Sequence, residues 1–196
     1  MRIGVLALQG DYMKHVELLE GLGVEAFLLR RSEELEGTDG VVLPGGESTT
    51  LQRLLAFEGL AAALTEYGRR RPLLGTCAGL ILMARTLSDA GGVEPLGLLD
   101  IEVRRNGFGR QIDSFEDELT IEAKDPELAR GAARGMFIRA PRILDLGSAE
   151  CLARWSGEPV AVRQGMHMGL SFHPELGGDA RWHRVWLTRC GGERPA

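Results

Sequence analysis

Four short stretches in the first half of the chain are almost continuously apolar. They are Ile3 to Leu8, Val24 to Leu29, Gly40 to Leu43, and Leu73-Leu74 behind Arg71-Pro72. Runs this short, with no polar alternation, are the pattern of strands covered on both faces. Between them the apolar spacing turns helical. His15, Leu18, Leu19 and Leu22 recur at helical intervals after Asp11, a residue suited to capping, and Gly21 or Gly23 ends the run. Residues 32–38 are polar and predict a loop or a short helix. Thr49 to Leu60 and Ala61 to Tyr67 read as helices, as does Leu80 to Arg85. Strand and helix thus alternate four times in about 85 residues, the rhythm of a parallel sheet with helices on both faces.

The second half changes character. Leu96 to Val103, Ser114 to Glu122, Met136 to Ala140, Ala149 to Trp155, Val160 to Arg163 and Gly169 to Phe172 read as short strands with few helices between them. They predict an antiparallel extension plus the last strand of the main sheet. Ala180 to Arg189 predicts a closing helix with Trp182 and Trp186 on one face, four residues apart, as packing residues. The tail from Gly191 is expected to fray. The fold class is α/β: an open, mostly parallel sheet with helices on both faces and a small antiparallel extension. At 196 residues the whole chain, 1–196, is expected to be one domain.

Charge and composition narrow the function. A net charge of −5 argues against non-specific nucleic-acid binding. Arg69-Arg70-Arg71 and Arg104-Arg105 read as solvated faces or partner contacts rather than phosphate tracks. No apolar run approaches the ~20 residues of a membrane span, and the N-terminus leads straight into a strand, so a cytoplasmic location is expected. Cys77, Cys151 and Cys190 are an odd number at unrelated spacings, which speaks against a disulfide framework and a zinc site. Neither metal nor cofactor is expected.

The candidate chemistry lies at predicted strand ends. Gly75-Thr76-Cys77-Ala78-Gly79 joins a strand directly to a helix and is the cysteine form of a nucleophile elbow. Such a turn crowds its flanks, so only small residues fit beside the central one. A helix N-terminus favours thiolate over thiol, and the Ala78 N–H is placed to face an oxyanion. Pro44-Gly45-Gly46-Glu47-Ser48 follows another strand. It lacks the lysine and spacing of a phosphate loop, and its exposed N–H groups suit an oxyanion hole. Ser171-Phe172-His173-Pro174-Glu175 ends a third strand. In an extended segment His173 and Glu175 point the same way, so the carboxylate can orient the imidazole. Nucleophile, base and orienter are then Cys77, His173 and Glu175. His15, His167 and His183 read as surface or core-edge residues.

The order PGGES, GTCAG, FHPEL resembles the class I, triad-type glutamine amidotransferases. More narrowly, the chain resembles the family of glutaminase subunits of two-subunit pyridoxal 5'-phosphate synthases. That likeness rests on residues 3–10, 43–50, 75–80, 105–111, 113–116, 137–141 and 171–176. Gly107 stands where many members carry Ser. The resemblance implies a flavodoxin-like fold and hydrolysis of L-glutamine to glutamate and ammonia. Gly46 and Ala78 would form the oxyanion hole. Glu47, Ser48, Arg105, Ile138 and Arg139, with Gly46, would bind glutamine. The ammonia would pass to a synthase subunit that makes pyridoxal 5'-phosphate. Gln9-Gly10 would gate the oxyanion hole, since members are activated by their synthase. The rival readings are the glutaminase of another pathway, such as imidazole glycerol phosphate synthase, or a cysteine hydrolase on a related fold.

Overall fold

The computed structural model describes residues 1–107 and 114–191. Phe108 to Gln111 and Asp113 of the resemblance motif, and the tail beyond Gly191, lie outside the described residues. The chain opens with β1 (Arg2–Leu6), α1 (Tyr12–Gly21), β2 (Glu25–Leu29) and a 3-10 turn at Ser32–Leu35. There follow β3 (Gly40–Leu43), α2 (Ser48–Phe57), α3 (Leu60–Gly68), β4 (Leu73–Thr76) and α4 (Ala78–Met83). Next come β5 (Ala84–Leu87), β6 (Leu99–Arg104), β7 (Ser114–Ile121), β8 (Ala133–Ile138) and β9 (Arg142–Asp145). The chain closes with β10 (Glu150–Trp155), β11 (Glu158–Gln164), β12 (His167–Leu170), α5 (Pro174–Gly177) and α6 (Arg181–Cys190).

The main sheet runs β2-β1-β3-β4-β12-β11-β10-β7-β8. Its first five strands are parallel, with β12 closing against β4. The remaining four continue antiparallel. A separate sheet, β5-β6-β9, packs beside it. Along each parallel strand, successive residues enter opposite cores. Ile3, Val5, Val42 and Leu74 join one cluster with Trp182 and Trp186, whereas Leu6, Val41, Leu43 and Leu73 join the other with α2, α3 and α4. That two-sided burial is why these strands read as unbroken apolar runs. No helix of the described residues is long and apolar enough to cross a membrane.

Several expectations need correction. The helix expected to run from Leu80 to Arg85 stops at Met83, and Ala84–Leu87 is a strand. The reason is tertiary: the carbonyls of Leu82, Met83 and Ala84 accept from the N–H groups of Leu96, Leu98 and Gly97. Those carbonyls need no further helical turn to satisfy them. Asp11 occupies the N-cap of α1, but its side chain makes no capping hydrogen bond. The strand β9 carried no recognisable sequence signal. His173 and Glu175 do not lie in an extended segment: β12 ends at Leu170, and His173 precedes a single helical turn started by Pro174. His15 and His183 are not at the surface or core edge. Both are fully buried.

Candidate active site

The C-terminal ends of β1, β3, β4 and β12 are neighbours in the sheet, and each carries one part of the site. This is the crevice where open parallel sheets bind ligands. At the end of β4, Cys77 holds φ 47° and ψ −102°, a conformation that non-glycine residues avoid. Its N–H is tied to the Leu170 carbonyl at 2.8 Å, and its carbonyl accepts from Ile81 at 3.2 Å. The flanking glycines are required by space. A side chain at Gly79 would strike the Leu43 carbonyl, and one at Gly75 would strike the Gly79 backbone.

His173 sits at the end of β12, buried, with its N–H bonded to the Met136 carbonyl of β8 at 2.8 Å. Its Nδ1 is 2.7 Å from Glu175 Oε1. The geometry of a helical turn, rather than strand alternation, brings the two together. Burial opposes a charge on His173, but the Cys77 and Glu175 side chains outweigh it and raise its pKa. Glu175 is likewise buried, and His15 and His173 hold its carboxyl well below the usual range against the desolvation cost.

The loop after β3 packs face to face with these groups. A side chain at Gly45 would overlap the His173 imidazole, and one at Gly46 would overlap the Gln9 carboxamide. Gln9 Oε1 accepts from the Glu47 N–H at 2.8 Å. Gly10, at φ 99°, lies so close that a side chain there would overlap the Gly45 carbonyl oxygen. The loops after β1 and β3 are therefore in backbone contact.

Around this centre lies a cavity of about 430 Å³. Gln9, Gly10, Gly46, Glu47, Ser48, Cys77, Arg105, Ile138, Arg139 and His173 line it, together with Asp11, Gly45, Ile81 and Asn106. Ala78 and Glu175 lie behind the lining. Glu47 caps α2, accepting from the Thr49 and Thr50 N–H groups at 3.1 and 2.7 Å. Partial burial would raise its pKa, but the hydrogen bonds from Thr50 and Thr49 push it down to about 2. Arg105 reaches in from the end of β6. It donates to Ser48 Oγ at 3.1 Å, Thr49 Oγ1 at 2.9 Å and the Ala90 carbonyl at 2.8 Å. Ile138 ends β8 with its carbonyl 3.8 Å from Cys77 Sγ. Arg139 follows at φ 43°. A Cβ at Gly107 would overlap the Arg142 Cβ, so a side chain there requires the Arg142 segment to shift.

A profile of the SNO glutamine amidotransferase family matches residues 5–191. The chain belongs to that family. The match to this glutamine amidotransferase family spans every strand end that builds the site. Among its relatives is the "pyridoxal 5'-phosphate synthase subunit PdxT" of Methanothrix thermoacetophila. It is 48% identical over 188 residues, which cover 95% of this chain and 98% of the relative. The protein of the same name from Geobacillus thermodenitrificans is 48% identical over 191 residues, or 96% of this chain and 94% of the relative. A solved structure described as a glutamine amidotransferase superposes with a TM-score of 0.88 at 43% identity, covering 97% of this chain and 99% of the other. A glutamine amidotransferase from Thermotoga maritima shares the fold at 17% identity, with a TM-score of 0.61. It covers 96% of this chain and 83% of the other.

Behind Glu175 lie residues with no functional signature in the sequence. His15 Nδ1 is 2.9 Å from His183 Nε2, and His15 Nε2 is 3.2 Å from Thr76 Oγ1 and 3.4 Å from Glu175 Oε2. A signal for burial was present, because His15 shares the apolar spacing of α1. His167 is structural: its Nδ1 accepts from the Leu73 N–H at 3.2 Å, and burial lowers its pKa.

Proposed function

We propose that this SNO-family amidotransferase hydrolyses L-glutamine at Cys77 and delivers the ammonia to a pyridoxal 5'-phosphate synthase subunit. The observation that carries the reading is the 2.7 Å pair of buried His173 and Glu175 beside a strained Cys77 on one cavity. In the proposed sequence the Cys77 thiolate attacks the side-chain amide carbon. His173 takes the thiol proton and returns it to the departing ammonia, while Glu175 holds the imidazole. The N–H groups of Gly46 and Ala78 stabilise the tetrahedral oxyanion, each donor contributing about 3–4 kcal/mol to the barrier. Water activated by His173 then hydrolyses the glutamyl thioester. Arg105 and Arg139 supply cations for the substrate carboxylate. Glu47 and the Ile138 carbonyl supply acceptors for its ammonium, and Ser48 adds a hydroxyl.

The relatives' names favour this synthase over imidazole glycerol phosphate synthase as the partner. The contact of Gly10 with Gly45 supports a gate. A synthase that prefers one orientation of the Gln9-Gly10 peptide shifts the loop after β3 toward a complete oxyanion hole, to the extent of its differential affinity. Glutamate release and pyridoxal 5'-phosphate formation, measured with and without the synthase, test both claims. Absence of glutamate release in the mixture refutes the activity. Full release by the isolated chain, unchanged by partner, refutes the gate alone.

A further inference from the structure

Behind the triad lies a polar network that the proposed reaction does not use. Its members come from three elements: His15 on α1, Thr76 at the end of β4, and His183 on α6. All three are completely buried. The two imidazoles meet at 2.9 Å with ring centroids 5.1 Å apart. Two buried atoms in this network make no hydrogen bond of good geometry, namely Glu175 Oε2 and His183 Nδ1.

Those two atoms select the protonation pattern. One ring must donate across the 2.9 Å contact and the other must accept. Suppose His15 donated from Nδ1. Its Nε2 lone pair would then face the Glu175 carboxylate at 3.4 Å, and His183 would bury an N–H with no acceptor. A buried N–H left with no acceptor carries its full desolvation penalty and is tolerated less often than a bare acceptor; among the described residues Trp182 Nε1 and Trp186 Nε1 are also unpartnered. In the opposite pattern His183 donates from Nε2 to His15 Nδ1. His15 then presents its Nε2 proton to Thr76 Oγ1 and Glu175 Oε2, and the unpartnered His183 Nδ1 is a bare acceptor, which costs less.

Resting on the proposed glutaminase reading, we infer that His15 and His183 are positioning residues that fix the second oxygen of Glu175. The direction of donation runs His183 to His15 to Glu175. The other carboxylate oxygen takes the Nδ1 proton of His173, so the His173 Nε2 is left to receive the proton of Cys77. Thr76, tied to the same imidazole, links the residue before the nucleophile to this brace. The charged and titratable groups facing His183 are His15 from α1 and Glu175 from α5. Burial pushes the His183 pKa down to about 3, so the ring stays neutral, and the Glu175 carboxyl, held low, stays ionised.

The test uses the full chain with its synthase. Nitrogen-15 histidine labelling leaves four rings to assign. Long-range proton–nitrogen correlation is expected to show His15 and His183 as Nε2–H tautomers, with His183 still neutral at about pH 5, below the ordinary histidine pKa of about 6.5. A Nδ1–H tautomer at either ring, or titration of His183 near its ordinary value, overturns the inference. Kinetics give the second reading. His15→Leu is expected to lower kcat for glutamine hydrolysis about tenfold or more with KM within about twofold. His15→Gln, which keeps an N–H near the Nε2 position, is expected to restore most of that rate. Equal losses in both variants, or a loss confined to KM, would mean that the network only fills space. Should His15→Leu fail to fold, the tautomers of the unaltered protein decide. If the unaltered complex releases no glutamate, the glutaminase reading fails, while the tautomers still report on the network.

Discussion

The two halves of the main sheet contribute to the cavity in different ways. The parallel half supplies the proposed reacting groups: Cys77 from β4, His173 and Glu175 after β12, and the facing loops after β1 and β3. The antiparallel half and the small sheet supply the walls: Ile138 and Arg139 from β8, and Arg105 and Asn106 from β6. β8 stands at the far edge of the sheet order, yet the Met136 carbonyl binds the His173 N–H. The sheet therefore curls until its last strand meets the end of β12. The comparison teaches a division of labour. On the proposed function, the chemistry sits on strand ends that neighbour one another directly, and the returning strands add Arg105 and Arg139 to the recognition begun by Glu47 and Ser48. Mutations of Cys77, His173 and Glu175 should act on kcat, and those of Arg105 and Arg139, together with Glu47 and Ser48 of the parallel half, on KM.

The largest effects should come from the reacting groups. Cys77→Ala and His173→Asn are expected to reduce glutamate release by about a thousandfold or more, with Glu175→Gln retaining more residual rate. Steady-state kinetics with the synthase present check the order. An inactive Cys77→Ala beside a fully active Glu175→Gln would leave a Cys–His dyad and no triad.

Next in size is the loop contact between β1 and β3. Gly10→Ala combines a disfavoured φ with overlap on the Gly45 carbonyl. It should cut kcat by about a hundredfold, the scale of one lost oxyanion donor. The circular dichroism spectrum should stay unchanged. Normal activity in this variant would remove the gating role from the loop.

Arg105→Met tests the other half. It should raise KM for glutamine about tenfold with kcat within about threefold, as expected for loss of one charge-assisted contact. If the loss fell on kcat instead, the division between the two halves would not hold.

Labelling sharpens the contrast within the thiols. A glutamine-like diazo-ketone should modify Cys77 alone at neutral pH. Burial and Glu122 push the Cys151 thiol up to about 11, and burial with Asp39 raises Cys190 as well, so neither is a thiolate there. Peptide mapping that finds adducts on Cys151 or Cys190 with Cys77 untouched would overturn the nucleophile assignment.

The smallest effect concerns acid stability of the face covered by α1 and α6. His183 has a folded pKa of about 3, below its unfolded value of about 6.5. Between those values the unfolded chain binds a proton that the folded chain refuses, so stability falls as pH falls through this window. The slope from this one group is at most about 1.4 kcal/mol per pH unit. Denaturant melts from about pH 7 to 4 should therefore be shallower for His183→Gln than for the unaltered protein. Glu175 adds a further loss below its unfolded pKa, which the variant retains. Parallel slopes would show that His183 titrates normally.

The legibility of the site followed the same division between halves. The strands β1, β3 and β4 announce themselves because both faces are buried, and the elbow because only small residues fit beside Cys77. The returning strands were harder. β5 and β9 gave no signal, and the helix α4 was expected to run on to Arg85. The residues of α4 are apolar in either state, and only hydrogen bonds from Leu96 to Leu98 stop the helix. The family motif named Arg105, Ile138 and Arg139, but no local pattern said that they meet Cys77.

By itself the sequence determined the parallel half and placed Cys77, His173 and the Gly45-Gly46 loop at strand ends. Those features follow from apolar period, turn chemistry and side-chain size, which act over a few residues. Tertiary structure decided the rest. It curled β8 back onto His173, set His173 and Glu175 in a helical turn, and buried His15 against His183. Each of these is a contact between segments far apart in the chain. The pairing energy of such contacts depends on what arrives from elsewhere, so no local stretch can specify it.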